Sequence, residues 1–534
     1  MELAKEIIIA LARKRDKNPE ILNSLKRSYA KKKSSKMLPN SRLLEAYHTL
    51  IKDKSIKPNP EIEEALRIRK IRSLSGIVII SALTKPFPCP GKCIFCPSQT
   101  NVPKSYLKEE PAVARAIITK YHPFRQVQTR IKALEAIGHP TDKIDLRIIG
   151  GTWSFYPKNY QNWFIKECFR GANEYNEKCK TKNVKRQLKN KKLRDAQRKN
   201  EKAGHRIIGI TIETRPDFID IKEIKRLRGL GITMVELGVQ SIYDNILKLN
   251  KRGHRVEASI RATQLLKDAG FKVCFQMMPN LLGSDPERDV KMFKELFSDS
   301  NFQPDYIKIY PCALLKEAPL YSVWRQKNYK PYTEKQLLKI LIEIKKEIPY
   351  YCRIQRIVRD IPSQYIIQGG TKTSNLRQVI EKIAEQEGWQ CKCIRCREVK
   401  EHYNPKEKLY LLRMDYEASG GKEIFLSFEN KERTRLYSLL RLRIPSQAIL
   451  PVLKDSGIVR ELHTYGKLVP ISQKTKAPQH RGLGKKLMQE AERIIKKEFN
   501  RKNISVISGV GARGYYKTLG YSLKDTYMIK RLNN

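Results

Sequence analysis

The sequence predicts an α/β protein: six βα units forming a parallel sheet, a smaller α+β domain after them, and a basic helical segment before both. Three observations carry this. Between residues 76 and 315, six β-branched runs alternate with amphipathic stretches, the pattern of parallel strands joined by right-handed helical crossovers. From about residue 405, strand-like runs follow one another directly, as antiparallel strands do. Residues 1–75 lack such runs and read as helices rich in Lys and Arg.

At 534 residues the chain can hold two or three separately packed domains. Its 107 Lys and Arg against 55 Asp and Glu leave a formal excess of +52. Self-repulsion on that scale is relieved by a polyanion. Nucleic acid suits better than a membrane surface, because the basic runs lack a matching apolar helix face. No apolar run approaches a membrane span and the first residues lack a signal-peptide layout, so a cytoplasmic protein is expected. Eleven cysteines, several in clusters, point to metal ligation in a reducing compartment rather than to disulfides.

In chain order, residues 1–75 carry Arg13-Lys-Arg15, Lys26-Arg27 and Lys31-Lys-Lys33, with breakers at Pro39-Asn40 and Lys57-Pro-Asn-Pro60. A nucleic-acid-binding arm is expected there, a solvated helical face being the plainer alternative. In residues 76–315, strands are expected at Gly76–Ser81, Lys143–Gly150, Arg206–Glu213, Thr233–Val239, Phe271–Met278 and Tyr306–Tyr310. Helices are expected between them, among them Glu109–Lys120, Pro123–Ile137, Asp220–Leu230, Val256–Ala269 and Glu287–Phe297. Residues 178–206 interrupt the pattern with 13 Lys or Arg. They read as a solvated basic helix or loop, or equally as a grip on phosphates near the barrel mouth. Residues 316–404 read as a helical linker. Residues 405–534 form the last domain, with strands at Lys408–Tyr416, Glu423–Phe428, Arg435–Arg443, Ile458–His463 and Ile504–Ser508, a helix at Lys485–Phe499, and a short helix holding Tyr515 and Tyr516.

The strongest chemical signal follows the first strand: Cys89-Pro-Gly-Lys-Cys93-Ile-Phe-Cys96. Thiolates are the ligands of iron–sulfur clusters, and a short Gly/Pro loop can wrap three of them round one cube. Chance supplies about 0.005 such triplets in a chain of this cysteine content. Three ligands leave one iron of a [4Fe–4S] cluster free. A structural zinc loop or unrelated buried thiols are the alternatives. The spacing resembles the signature of the radical S-adenosylmethionine (SAM) superfamily, whose partial (β/α)6 barrel the six βα units match. That resemblance implies SAM on the open iron and its reductive cleavage to a 5′-deoxyadenosyl radical. In related complete barrels, active sites gather at the C-terminal ends of the strands, where this loop lies.

A second thiol cluster, Cys391-Lys-Cys393-Ile-Arg-Cys396, has the compact spacing of a zinc site. Structural zinc takes four ligands. Cys312, past the sixth strand, is the expected fourth, with His402 behind it, and free cysteines are the alternative.

Gln479-His-Arg-Gly482-Leu483-Gly484-Lys485 opens a long helix, and exposed N–H groups at a helix start suit pyrophosphate. Alone this is also an ordinary loop and cap. With its flanking strands, Gly509-Val-Gly511 and the Tyr-rich short helix, it resembles the GNAT acetyltransferase fold. That fold implies an acetyl-CoA cleft between splayed strands. Glu461, Leu462, His463 and Thr464 would then offer backbone groups to the pantetheine arm, and Tyr516 would face the thioester.

A radical SAM barrel joined to a GNAT domain resembles the catalytic subunit of Elongator and its single-protein archaeal and bacterial relatives. The strings that carry it include Cys89–Pro97, Tyr121-His-Pro-Phe124, Ile149-Gly-Gly-Thr-Trp153, Glu213-Thr-Arg-Pro-Asp217, Glu236-Leu-Gly-Val-Gln240, Arg359-Asp-Ile-Pro362, Glu461-Leu-His463 and Ser508-Gly-Val-Gly511. The resemblance implies a tRNA wobble-uridine carboxymethyluridine synthase. Its radical takes hydrogen from the acetyl-CoA methyl group, the carbon adds to carbon 5 of uridine, and thioester hydrolysis completes the product. It places the cluster on Cys89, Cys93 and Cys96, acetyl-CoA on Lys158, Glu461–Thr464, Leu483–Lys485 and Tyr516, and SAM near Lys308, with Tyr515 beside Tyr516 as a catalytic candidate. Its partners would be tRNA, held at the anticodon region, and an electron donor, with a homodimer left open. Two departures stand out: the Gly-Gly-Glu motif of radical SAM proteins reads Gly150-Gly151-Thr152, and the zinc thiols are not universal among relatives. A protein-lysine acetyltransferase with a structural cluster would leave the radical motif and the charge unexplained. A non-catalytic tRNA-binding scaffold would leave two cofactor sites unexplained.

Overall fold

Seven parallel strands form the first sheet, side by side in the order in which they occur in the chain. They are β1 (Val78–Leu83), β2 (Lys143–Ile149), β3 (Arg206–Thr214), β4 (Met234–Gln240), β5 (Lys272–Met277), β6 (Tyr306–Ile309) and β7 (Arg353–Ile357). This computed structural model describes residues 1–34, 36–67, 76–175, 192–371, 373, 375–400, 403, 404, 406–466 and 482–532. The six expected strands are present within two residues at each end. The seventh was not expected: it carries the barrel past residue 315 and through the segment read as a helical linker.

Outward faces of the strands, with Ile80, Leu146, Ile210, Val235, Val273 and Ile307, pack on a shell of amphipathic helices through Phe164, Phe169, Leu227, Leu266 and Phe293. The sheet curls. Arg147 Nη1 on β2 reaches Gln355 Oε1 on β7 at 3.4 Å, although β3 to β6 lie between them in the sheet. Above this, Arg359, just past β7, donates to Ser105 Oγ at 3.0 Å and pairs with Glu110 at 2.8 Å, holding the loop after the cysteines against the far edge.

The second sheet runs β13-β14-β12-β11-β10-β9-β8. Its strands are β8 (Tyr410–Ala418), β9 (Gly421–Glu429), β10 (Leu436–Ile444), β11 (Ser456–Thr464), β12 (Asn503–Val506), β13 (Ser522–Lys524) and β14 (Tyr527–Arg531). All pairs are antiparallel except β11 with β12. The helix Leu483–Lys497 buries Leu487, Met488, Ile494 and Ile495 against this sheet.

This domain docks on the N-terminal edge of the barrel. Arg460 Nη1 donates to Phe271 O at 2.7 Å and Asp305 Oδ2 at 2.8 Å, and Arg441 Nη2 donates to Tyr351 O at 2.7 Å. Each acceptor lies one or two residues before a barrel strand. Gly509 lies so close to β3 that a Cβ would meet Ile208 O at 1.9 Å, so only glycine fits there. Buried guanidinium groups keep their charge because partners surround them: Arg443 holds Asp268 at 2.6 Å, and Arg460 holds Glu423 at 2.9 Å.

Four helices, Glu2–Arg13, Pro19–Lys32, Asn40–Lys52 and Pro60–Leu66, enclose a separate core of Ile7, Leu11, Leu22, Leu44, Tyr47 and Ile62. Arg13, Lys31 and Lys32 are exposed, as a binding arm requires. Lys26 departs from that expectation: it is buried and donates to Asn40 Oδ1 at 2.9 Å. Of the basic insertion, residues 178–191 lie outside the described residues. Its remainder forms the helix Leu193–Asn200, which buries Ala196 and Asn200.

Candidate functional site

The cysteine loop leaves β1 at the C-terminal edge of the barrel. A Cβ on Gly91 would lie 3.6 Å from both Cys89 Sγ and Cys93 Sγ and 3.0 Å from Arg215 Nη1, so glycine keeps the space between these sulfurs open. Arg252 Nη1 reaches Cys93 Sγ at 3.4 Å. Two guanidinium groups thus stand beside these sulfurs, where they would offset the negative charge of an iron-bound thiolate cluster. Without a metal, burial and the neighbouring Cys93 push the Cys96 thiol up to about 11. An iron–sulfur cluster fits this donor chemistry: three soft sulfur ligands on one short loop, with the cationic Arg215 and Arg252 beside it to offset a cluster's charge.

Below the loop, the lumen is polar. Lys308 on β6 pairs with Glu236 on β4 and lies 3.7 Å from Glu213 Oε1 on β3. Gln276 Nε2 donates to both carboxylates at 3.3 Å, and Tyr106 Oη donates to Glu213 Oε2 at 2.8 Å. The two acids part company. Burial and the nearby Glu236 raise Glu213, with Lys308 opposing. Burial also acts on Glu236, but Lys308 and Arg147 overcome it and hold it low. Lys308 itself stays protonated, because Glu236 outweighs the cost of burial. Sequence reasoning singled out Lys308 but gave no role to Glu213, Glu236, Gln276, Arg147, Arg215 or Arg252. For Arg147, Glu213, Glu236 and Gln276 the signal was a polar side chain within strands that should otherwise be wholly apolar, whereas Arg215 and Arg252 lie in loops and gave none.

The second candidate site opens where β11 leaves β12. The two pair in parallel from Ser456 with Asn503 to Val459 with Val506, and beyond this β11 continues to Thr464 paired with β10 alone, its β12-facing edge open. Arg460 is the extra residue of a bulge against β10, which turns this free end. Facing it is the start of the helix Leu483–Lys497, with Gly482 in the left-handed region at φ 68°. A Cβ on Gly484 would lie 3.1 Å from Tyr515 Oη and 3.7 Å from Thr464 Oγ1. The structure therefore gathers Leu462, Thr464, Gly482, Leu483, Gly484 and Tyr515 at one cleft. Lys485 is exposed on the first turn of that helix, and Tyr516 is buried against Tyr515 with ring centroids 5.3 Å apart. Gln479 lies outside the described residues.

Glu461 and His463 point the other way, into the N-terminal mouth of the barrel. Tyr306 Oη donates to Glu461 Oε1, and Arg441 Nε donates to Oε2 at 2.8 Å. Burial would raise this carboxyl, but Lys272 and Arg441 hold it at about 2. His463 stacks on Tyr465 at 4.2 Å. Burial keeps it neutral, with a value near 4, although Glu461 opposes the shift. The side chains of Glu461 and His463 are thus turned away from the cleft.

Lys158 begins the helix Lys158–Asn173, which follows β2, so it stands exposed at the C-terminal edge, apart from the β11 cleft at the N-terminal edge. One expectation needs correction. Cys391, Cys393 and Cys396 do assemble, with all three Sγ atoms within 4.8 Å of one another, but Cys312 is absent from that group. The trio sits at the base of β7, where Ile394 N donates to Cys352 O at 3.0 Å. Cys312 lies past the far end of β6, packed with Ile94, Leu320 and Tyr329. His402 is outside the described residues. Among the trio, burial opposes ionisation of Cys393, but hydrogen bonds from Cys391 and Cys396 outweigh it and favour the thiolate.

Among the described residues, no helix is long and apolar enough to cross a membrane. The model of the radical SAM superfamily matches residues 88–296, and that of the Radical_SAM C-terminal domain matches residues 304–386. The tRNA uridine(34) acetyltransferase of Methanocaldococcus infernus is 45% identical over 482 residues, 88% of each chain. Elongator complex protein 3 of Homo sapiens is 36% identical over 88% of this chain and 86% of its own. The solved structure of archaeal Methanocaldococcus infernus Elp3 with an N-terminal deletion (1–46) is similar with a TM-score of 0.73 and 41% identity. That match covers 86% of this chain and 100% of the other.

Proposed function

The chain belongs to the Elongator complex protein 3 family of radical SAM proteins, and we propose that it builds a carboxymethyl group on carbon 5 of the tRNA wobble uridine, with acetyl-CoA as carbon source. The observation that carries this reading is the placement of two sites at opposite mouths of one polar barrel. Cys89, Cys93 and Cys96 would hold a [4Fe–4S] cluster with SAM on its open iron, supplying a 5′-deoxyadenosyl radical when charged by an electron donor.

The chain's own residues do the rest. Arg215 and Arg252 offset the charge of the thiolates. Lys308, kept cationic between Glu213 and Glu236, gives the upper lumen a fixed field for a polar ligand. In the cleft, N–H groups at Gly482–Lys485 would take pyrophosphate and the free edge of β11 would pair with the pantetheine amides. Tyr515 and Tyr516 flank the position of the thioester. Tyr306, bonded to Glu461, is two residues from Lys308 on β6, about 7 Å along the strand. The cleft strand therefore abuts the base of the lumen whose upper end meets the cysteine loop, a separation an extended pantetheine arm can bridge. Cys391, Cys393 and Cys396 would hold a structural zinc ion that ties the base of β7 to the chain entering the second domain.

The reading is tested with acetyl-CoA deuterated at its methyl group, incubated anaerobically with reductant, SAM and tRNA. Deuterium in the recovered 5′-deoxyadenosine is expected. Deoxyadenosine formed in quantity without deuterium would refute acetyl-CoA as the hydrogen source.

A further inference from the structure

Beside the cysteine loop runs a band of aromatic rings whose inner members, Tyr156 and Tyr160, pack on the core, while its outer members, Phe155 and Trp163, are left to solvent. Phe87, two residues ahead of Cys89, lies 5.9 Å from Phe155 and 4.9 Å from Tyr156. Phe155 continues to Phe218 at 5.9 Å, and Tyr156 continues through Tyr160 at 5.2 Å to Trp163 at 5.6 Å. The helix Lys158–Asn173 buries Phe164, Ile165 and Phe169 on its other face, so its core is filled without Trp163. Trp163 stands 37% exposed and Phe155 38% exposed. Two large rings left exposed beside three half-buried ones form an aromatic surface of the kind that marks a binding site.

The charge round the band is mostly positive, the acids nearest it being Asp217 and Asp220 beside Phe218 and the buried Glu167 one turn from Trp163. Residues 81–108, 111–134 and 146–166, which supply most of this face, contain no Asp or Glu. Lys85 Nζ sits 5.1 Å over the Tyr160 ring, and Lys158 stands exposed between Tyr156 and Tyr160. Flat rings with cations beside them are how proteins hold unpaired nucleotides: bases stack on the rings, and phosphates meet the lysines.

We propose that this band is a stacking platform for the unpaired nucleotides flanking the base that enters the barrel. The proposal rests on the tRNA reading above and adds to it a named surface at the cluster end. Lys158, which stands apart from the cleft, belongs to this platform as a phosphate contact.

The test uses the full chain and an unmodified anticodon stem-loop RNA, with affinity measured by fluorescence anisotropy over a range of salt. Trp163→Ala and Phe155→Ala should each weaken binding about 5- to 100-fold, the range covered by one base–aromatic stack, with the salt slope unchanged. Trp163→Phe should restore most of the affinity, which separates stacking from misfolding. Lys158→Ala should weaken binding and also flatten the slope. Wild-type affinity in both alanine variants would overturn the platform and leave the tRNA reading standing. Failure of the wild type itself to bind the stem-loop would overturn both. Alanine variants that bind RNA normally but take up electrons poorly from a flavodoxin-type donor would assign the surface to a protein and overturn the proposal.

Discussion

Tyr306 and Glu461 join the two halves of the molecule: the phenol of a barrel strand donates to the carboxylate of the strand that borders the second cleft. Arg441 completes the arrangement at 2.8 Å from the other oxygen. Removing the acid leaves a buried guanidinium without this partner. Glu461→Gln should therefore destabilise by about 3 kcal/mol. Tyr306→Phe, which removes one hydrogen bond, should cost about 1 kcal/mol. Denaturant unfolding of both variants checks the order, and equal destabilisation would contradict the role given to the charge.

The same carboxyl sets a pH dependence. Glu461 is held at about 2 in the folded protein against an ordinary 4.5. A depressed acid stabilises fully above its unfolded value and loses that contribution as pH falls through the folded value. The stability gap between wild type and Glu461→Gln should thus be full above about pH 4.5 and close towards pH 2. A gap that stays constant with pH would show that ionisation of Glu461 is not its source.

For the first metal site, Cys93→Ala removes a buried thiolate that Arg252 faces. Brown absorbance and SAM cleavage should be abolished, while acetyl-CoA binding at the distant cleft persists. A variant that still produces deoxyadenosine would contradict the cluster assignment.

The second metal site separates the assembled trio from the excluded cysteine. Cys391→Ala/Cys396→Ala should lose zinc and keep iron, whereas Cys312→Ala should keep zinc. Metal analysis of anaerobically purified protein decides, and full zinc in the double variant would remove the site.

The local features of this fold were legible in the sequence because short-range chemistry dictates them. Gly76–Ser81 and Lys143–Gly150 read as strands from their β-branched runs, and the Cys89–Cys96 loop declared itself through spacing alone. What sequence missed depended on closure of the barrel. Arg353-Ile-Gln-Arg-Ile357 looks like surface, yet it is a barrel strand whose Gln355 meets Arg147 across the lumen. Cys312 was misplaced because it lies at the C-terminal edge, and its expected partners lie at the N-terminal edge. Sequence distance does not reveal which end of a parallel strand a connection reaches.

The basic N-terminal helices carry a further expectation. Lys31 and Lys32 are exposed, while Lys33 already pairs with Glu6 at 2.6 Å. Replacing all three by Ala should weaken cognate and non-cognate tRNA alike and flatten the salt slope by about 0.7–0.9 for each phosphate no longer neutralised. Acetyl-CoA binding should be untouched. Unchanged slopes in salt titrations would leave the arm as a solvated face.

The central claim is that one chain joins acetyl-CoA carbon to a tRNA base by radical chemistry. Its most direct measurement is nucleoside mass spectrometry of unmodified tRNA after anaerobic incubation with protein, reductant, SAM and acetyl-CoA. The predicted result is 5-carboxymethyluridine at the wobble position, dependent on every component and absent with Cys93→Ala. Acetylated lysine with no modified nucleoside, or product formed without SAM, would contradict it.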